Sequence, residues 1–272
     1  MTATLEHSPP RPRALVAVAV VPIVALGVIV SAVLLLVTGI WGLLAGLVLT
    51  AIAVFLRARS ISTGIRRRVL DQLHPRPVTD ADARLVNLAE GLSATSGVPV
   101  PDLFVLDDPA ANMLLVGESP AAPAVVVTQG LLDALDRIQL EAVVARAFAE
   151  LRLGGLPASS VAVNAVARPQ HSLDRGGPGA LAVRPFAGLV ATGFASVAGG
   201  DRDLELDRAA VALTRYPPGL LAALEQMQRV GTRVAAADPT SAHLWMADPG
   251  VGVKGMPERS PLELRIEALR LL

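Results

Sequence analysis

The chain has 272 residues, 52% of them hydrophobic and 18% charged, with 24 basic against 24 acidic side chains. That balance, with only 3% aromatics, excludes a broadly basic, base-stacking nucleic-acid surface. The absence of cysteine excludes disulfides, thiol catalysis and cysteine-ligated zinc or iron–sulfur clusters.

The apolar excess is concentrated near the N-terminus. After a short tail, residues 1–13, no charged residue occurs from Ala14 to Leu56. One spanning helix needs about 20 residues, so this run is long enough for two, and an h-region of a signal peptide is typically only about 7–15. The break is expected at "VTGIWG", where Thr38, Gly39 and Gly42 suit a tight turn. Arg11 and Arg13 precede the run, and Arg57, Arg59, Arg66, Arg67 and Arg68 follow it. Basic flanks on both sides of an uncharged turn predict a multi-pass hairpin with both ends in the cytoplasm, anchored in the plasma (inner) membrane. The bilayer is therefore the first expected partner. Residues 57–80 read as a basic juxtamembrane linker, and 81–272 as one domain.

Within that domain, Thr79–Ser96 has helical spacing of Leu85, Leu88, Ala89 and Leu92 behind a capping Thr79 or Asp80. Three short apolar runs follow, around Leu103–Leu106, in "NMLLVGES" and in "PAVVVTQG", and read as strands. "GLLDALDRIQLEAVVARAFAELRLG" reads as a short helix, a turn and a longer helix. A Gly-, Pro- and Ser-rich stretch near 155–180 is expected to be a mobile loop. Residues 185–198 are apolar but too few for a regular span, so a buried or interfacial helix is expected there. Two more helices follow in "DRDLELDRAAVALTR" and "PPGLLAALEQMQRV", then a strand or loop in "SAHLWMADP" and a closing amphipathic helix, "SPLELRIEALRLL".

Several local patterns fail on chemistry. "GESPA" approaches a nucleophile elbow, but Pro120 follows the serine and has no N–H to give to an oxyanion. "RGGPGA" lacks the Lys and Ser/Thr of a phosphate loop, and "DDPAAN" lacks the alternating spacing and distal Glu of a calcium loop. The oddity is "LEAVVARAFAELRLG": a helix apolar enough for a core carries Arg146 and Glu150, four residues apart.

The order of motifs resembles the HtpX-like family of membrane-bound zinc metallopeptidases. The hairpin comes first. "VNLAEGLSATSGVPVPDLFVLDDPAANMLLVG" is similar to the family's lead into its substrate-side edge strand, and "AVVVTQGLLDALDRIQLEAVVARAFAEL" to its strand, short helix and metal-site helix. "DRDLELDRAAVALTRYPPGLLAALEQM" is similar to the segment with the third zinc ligand, and "SAHLWMADP" and "PERSPLELRIEALRLL" to its C-terminal pieces. The resemblance implies an α+β, mainly α chain, in which the hairpin precedes a zincin-like (gluzincin) domain with a small sheet and a metal-site-type helix pair.

It also exposes what is missing. The family's H-E-x-x-H binds zinc through two histidines on one helix face and uses the glutamate as general base. Those positions hold Arg146, Ala147 and Glu150; the third ligand falls at Asp203, an acid four residues further at Asp207, and a later histidine at Arg259. A guanidinium has no lone pair for a metal, alanine is no base, and neither His7, His74, His171 nor His243 stands four residues from another histidine. No zinc and no other cofactor is therefore expected. In its place an ion pair is expected, with Arg146 held by Glu150 and Asp203; the plainer alternative is a surface i, i+4 pair of a few tenths of a kcal/mol.

The resulting expectation is a membrane-anchored pseudo-peptidase that binds or regulates a peptide or membrane-protein partner. Extended peptide would add at the edge strand Asn112, Met113, Leu114, Leu115, Val116 and Gly117. The alternatives are an active metalloendopeptidase in protein quality control, with an unusual site at Glu150, Asp203 and His243, and an unrelated membrane-anchored interaction protein.

Overall fold

The computed structural model describes residues 12–119, 122–169, 171, 200–253 and 259–272. The uncharged run folds into two helices, α1 (Pro12–Thr38) and α2 (Ile40–Ser62). Gly39 alone separates them, at φ 70° and ψ −151°, a positive-φ conformation that glycine adopts without a Cβ penalty. Two stretches, Ala19–Thr38 and Ile40–Ser62, are long and apolar enough to cross a membrane, at 20 and 23 residues. Small residues line their shared seam. A Cβ on Gly46 would fall 2.5 Å from Ser31 Oγ, and one on Gly27 2.2 Å from Thr50 Oγ1, so both glycines permit the close approach of the two backbones. The seam hydroxyls return to their own helices: Ser31 Oγ donates to Gly27 O at 2.7 Å and Thr50 Oγ1 to Gly46 O at 2.8 Å. The outer faces carry bare aliphatics such as Leu36, 86% exposed.

Residues 57–80, expected as a linker, are instead structured. α2 runs on to Ser62, α3 covers Ile65–Leu73, and β1 (Arg76–Pro77) joins the sheet. The reason lies in Ile61, Ile65, Val69 and Leu73, an i, i+4 stripe that is wholly buried. The Glu118 carboxylate accepts the first two N–H groups of α3, from Ile65 and Arg66, and so caps the helix.

The sheet continues with β2 (Asp102–Leu106), β3 (Met113–Val116) and β4 (Ala124–Thr128), in the order β1-β2-β4-β3. β2 runs parallel to β4, and the two outer pairings are antiparallel. Both faces of β3 and β4 are covered, which explains why these strands read as unbroken apolar runs. One face packs on α4 (Ala83–Ser96), α5 (Gln129–Ala134) and α6 (Arg137–Leu153). The other packs on the α3 stripe and on α7 (Leu156–Ala162). Helices α8 (Gly200–Thr214), α9 (Pro217–Val230) and α10 (Leu262–Arg270) complete the layer over α6.

α7 corrects the loop expectation near 155–180: Leu156 to Ala167 is helical, with a π-type turn over Val163–Ala167. Ala158, Val161 and Ala162 bury a face beneath the sheet, and packing overrides the Gly- and Ser-rich composition. The expected helix at 185–198 and most of the remaining loop lie outside the described residues.

Candidate functional site

α6 begins with a capping box, Asp136 to Gln139, and ends at Gly154 in the left-handed conformation. Between these caps nearly every residue from Leu140 to Glu150 is buried, including Arg146 at 2% exposure. The helix that faces it is α8, where Asp203 and Asp207 stand four residues apart on one side, each 1% exposed. Arg146 Nη2 donates to Asp203 Oδ1 at 2.6 Å, and its Nε donates to Asp207 Oδ1 at 2.9 Å.

Two further arginines close the cluster. Arg259 Nη1 donates to Asp203 Oδ1 at 2.6 Å, and its Nε to the Trp245 carbonyl at 2.7 Å. The Ser260 N–H supplies Asp203 Oδ2 at 3.0 Å. Arg265, on α10 and fully buried, grips Asp207 with both Nε (2.7 Å) and Nη2 (2.8 Å), and gives Nη1 to the Met246 carbonyl at 2.8 Å. The fork of arginine suits this two-point hold on a carboxylate.

Burial by itself would push Asp203 up, but Arg259, Arg146 and Arg265 outweigh it and hold the carboxyl below its usual range. Burial likewise disfavours the Arg146 cation, and Asp207, Asp203 and Glu150 together reverse that and raise it. Arg259 goes the other way: burial, with repulsion from Arg146 and Arg265, lowers it despite Asp203.

Of the residues singled out from sequence, Arg146 and Asp203 meet directly, while Glu150 does not take the expected place. Its Oε1 accepts from Arg202 Nη2 at 3.2 Å, and Asp207 fills the second position on Arg146. The cause is directional: Glu150 sits one turn further along α6, where Arg202 of α8 can reach it over Gly155, at which a Cβ would lie 1.8 Å from Arg202 Nη2. Ala147 is buried, its methyl offering no acid or base. His243 is also buried and shares a hydrogen bond of 2.8 Å between Nε2 and the Ser159 carbonyl of α7; burial, helped by the charge of Arg259, pushes it down to about 4.

Sequence reasoning missed Arg265. The signal was present: in "SPLELRIEALRLL" it occupies the same stripe as Leu262, Ile266 and Leu269, an apolar position held by a charge.

The donor set does not fit a zinc ion. Zinc takes lone pairs from His, Asp, Glu or Cys in a tetrahedral shell. Here each carboxylate of the centre is already engaged by guanidinium N–H groups. Among the described residues no three His, Asp or Glu side chains group as ligands. What the arrangement does is tie α6, α8, the Trp245–Met246 backbone and α10 together through charge-assisted hydrogen bonds.

β3 is the edge strand, but its open side is occupied. Asn112 through Gly117 are all buried. The Met246 N–H donates to the Met113 carbonyl at 2.7 Å, Leu114 bridges Trp245 antiparallel, and the Gly117 N–H donates to Ser160 Oγ at 2.9 Å. The Asn112 amide binds the Thr232 and Ala247 carbonyls at 2.9 and 3.0 Å. The chain's own Trp245–Met246 segment thus lies along this edge.

No family model matches the chain. Curated relatives do. A protein named "Protease HtpX homolog" from Dictyoglomus thermophilum is 32% identical over 218 residues, covering 72% of this chain and 71% of its own length. Proteins of the same name from Limosilactobacillus reuteri and Listeria monocytogenes are 28% and 26% identical over 238 and 237 residues, covering 77% and 74% of this chain and 79% and 78% of theirs.

Proposed function

The chain belongs to the HtpX family, and from that premise we propose that it is a membrane-anchored pseudo-peptidase, which binds or regulates a protein partner and does not cleave it. The hairpin holds it in the plasma (inner) membrane with both ends and the domain on the cytoplasmic side, as the arginines on each flank favour. In this reading the domain keeps a zincin-type arrangement in which the α6–α8 pair descends from a metal site.

One observation carries the proposal. The guanidinium of Arg146 stands between Asp203 and Asp207, where the family resemblance puts a metal ligand, and satisfies the carboxylates that would otherwise attract a cation. Ala147 and the Arg202-bound Glu150 support it, since one supplies no base and the other is already paired with a guanidinium.

Strand addition at Asn112–Gly117 remains part of the proposal, on the condition that Trp245–Ala247 lifts off first. The indole Nε1 of Trp245 is buried with no hydrogen-bond partner among the described residues, a cost that weakens the seating of that segment.

Zinc content decides the matter. The full-length protein, purified in detergent, is loaded with zinc, exchanged into metal-free buffer and measured by elemental mass spectrometry. The proposal expects less than about a tenth of a zinc per chain, where a competent site holds one. Near-stoichiometric zinc that disappears in Asp203→Ala overturns it in favour of an active peptidase with an unusual site.

A further inference from the structure

The second charged constellation lies at the foot of the hairpin, well away in sequence from the first. Arg57 is the first charged residue after the apolar run that ends at Leu56. Its Nη2 donates to the Asn164 carbonyl at 3.2 Å. Arg68, from α3, donates Nη1 to Asn164 Oδ1 at 2.9 Å, and Arg168, just beyond the π-type turn, donates Nη1 to the same oxygen at 3.5 Å. Asn164 is 4% exposed, and its amide nitrogen is spent on the Ser60 and Ile61 carbonyls at 3.2 and 3.3 Å. Three cations from three elements thus converge on one buried neutral side chain. They surround a cavity of about 310 Å³, completed by Ser60 and Pro169.

Among the described residues none of the three has a carboxylate within ion-pair distance. Asp238, on the adjoining cleft, accepts the Thr240 N–H at 2.8 Å as the cap of the following turn. The contrast with the Arg146 cluster is physical: there the guanidiniums are met by aspartates, here by one amide. Like charges brought together without a counter-charge repel, and an anion in the cavity relieves that repulsion.

We propose that Arg57, Arg68 and Arg168 form a site for a tetrahedral phosphate anion, supplied by the headgroup of an anionic phospholipid. Guanidinium forks match phosphate oxygens in pairs, and donors approaching from several sides suit a tetrahedral group more than a planar carboxylate. The depth selects the lipid source: the site opens at the end of the second spanning helix, where headgroups lie. The π-type turn, a feature frequent at functional positions, sets Asn164 and Arg168 on the same side. Nothing in this site depends on whether the Arg146 centre is catalytic.

The test uses the delipidated full-length protein and native mass spectrometry, with phosphatidylglycerol and phosphatidylcholine added in turn. Phosphatidylglycerol should stay bound through activation while phosphatidylcholine is stripped. Arg57→Gln/Arg168→Gln should weaken that retention by about tenfold or more, and so should Ser60→Asp, which keeps all three arginines and supplies an internal anion. Arg59→Gln/Arg67→Gln, removing as much charge from α2 and α3 outside the cavity, should change little. Equal retention of both lipids, or an equal loss in the control pair, overturns the site in favour of diffuse attraction to the basic flank. Inorganic phosphate is added separately: a thermal upshift abolished by Ser60→Asp, with no retained phosphatidylglycerol, overturns the lipid assignment in favour of free phosphate.

Discussion

Removing a cation from the Arg146 centre should cost less than removing an anion. The cluster contains Arg146, Arg259 and Arg265 against Asp203 and Asp207, and the Arg202–Glu150 pair beside it adds no net charge. The centre is therefore one positive charge in excess. Arg146→Met removes that excess. Asp203 keeps Arg259 and the Ser260 N–H, and Asp207 keeps the two-point hold of Arg265, so neither carboxylate is orphaned. The loss is confined to two charged hydrogen bonds within a network that re-satisfies itself, about 1–2 kcal/mol. Asp203→Asn does the opposite. It doubles the excess positive charge, leaves Arg146 and Arg259 to share one neutral amide oxygen, and sets an amide NH2 against the Ser260 N–H. Breaking a buried pair in this sense costs about 3–5 kcal/mol. For a domain of this size about 1 kcal/mol moves Tm by roughly 2–4 °C. The expected shifts are thus about 4 °C for Arg146→Met and about 10 °C for Asp203→Asn. The chain has two tryptophans, so thermal unfolding in detergent on a Trp41→Phe background makes the buried Trp245 the sole reporter. A larger loss in Arg146→Met than in Asp203→Asn would refute the charge argument.

Three further outcomes follow from the same structure. His243 has its ordinary value of 6.5 lowered to about 4 by burial, so the unfolded chain binds its proton first; stability should fall by about 3 kcal/mol as pH drops from 6.5 to 4, and His243→Gln should flatten that part of a Tm-against-pH profile. Met246→Pro deletes the N–H that reaches Met113 O and should speed amide hydrogen exchange across 112–117, with unchanged exchange counting against the segment as a cover. Gly46→Leu forces a side chain onto Ser31 and should cost about 1–3 kcal/mol in detergent melts, whereas Leu36→Ala on the open face should be near neutral.

The hairpin and the α6–α8 pair were legible because their signals are local. An uncharged run long enough for two spans has few alternatives, and an arginine in an apolar helix calls for a carboxylate from elsewhere. The partner of Glu150 was not legible. The i, i+4 spacing offered Arg146, but the choice between it and Arg202 depends on how α8 is rotated against α6, which only the packed structure fixes. The stretch 57–80 misled because its arginines mask a stripe, Ile61, Ile65, Val69 and Leu73, whose destination under the sheet is non-local. The same is true of Leu156–Ala167, whose glycine and serine content signals a loop until the small residues are needed for close packing. The edge strand was recognised as a strand, but its occupant lies over a hundred residues away along the chain and has no local signature.

The join between hairpin and domain has a mechanical consequence. Only Thr63 and Gly64 separate α2 from α3, and Val16 and Ala19 of α1 pack into the same cluster as Ala158 and Val161 of α7. Both legs of the hairpin are thus fastened to the body they carry. There is no leash, and so no search radius of the kind a flexible tether provides. If the hairpin spans the bilayer as proposed, the domain's surfaces stand at one height and one tilt above it, like a gauge block on a plate, and a partner of the proposed kind has to come to that height.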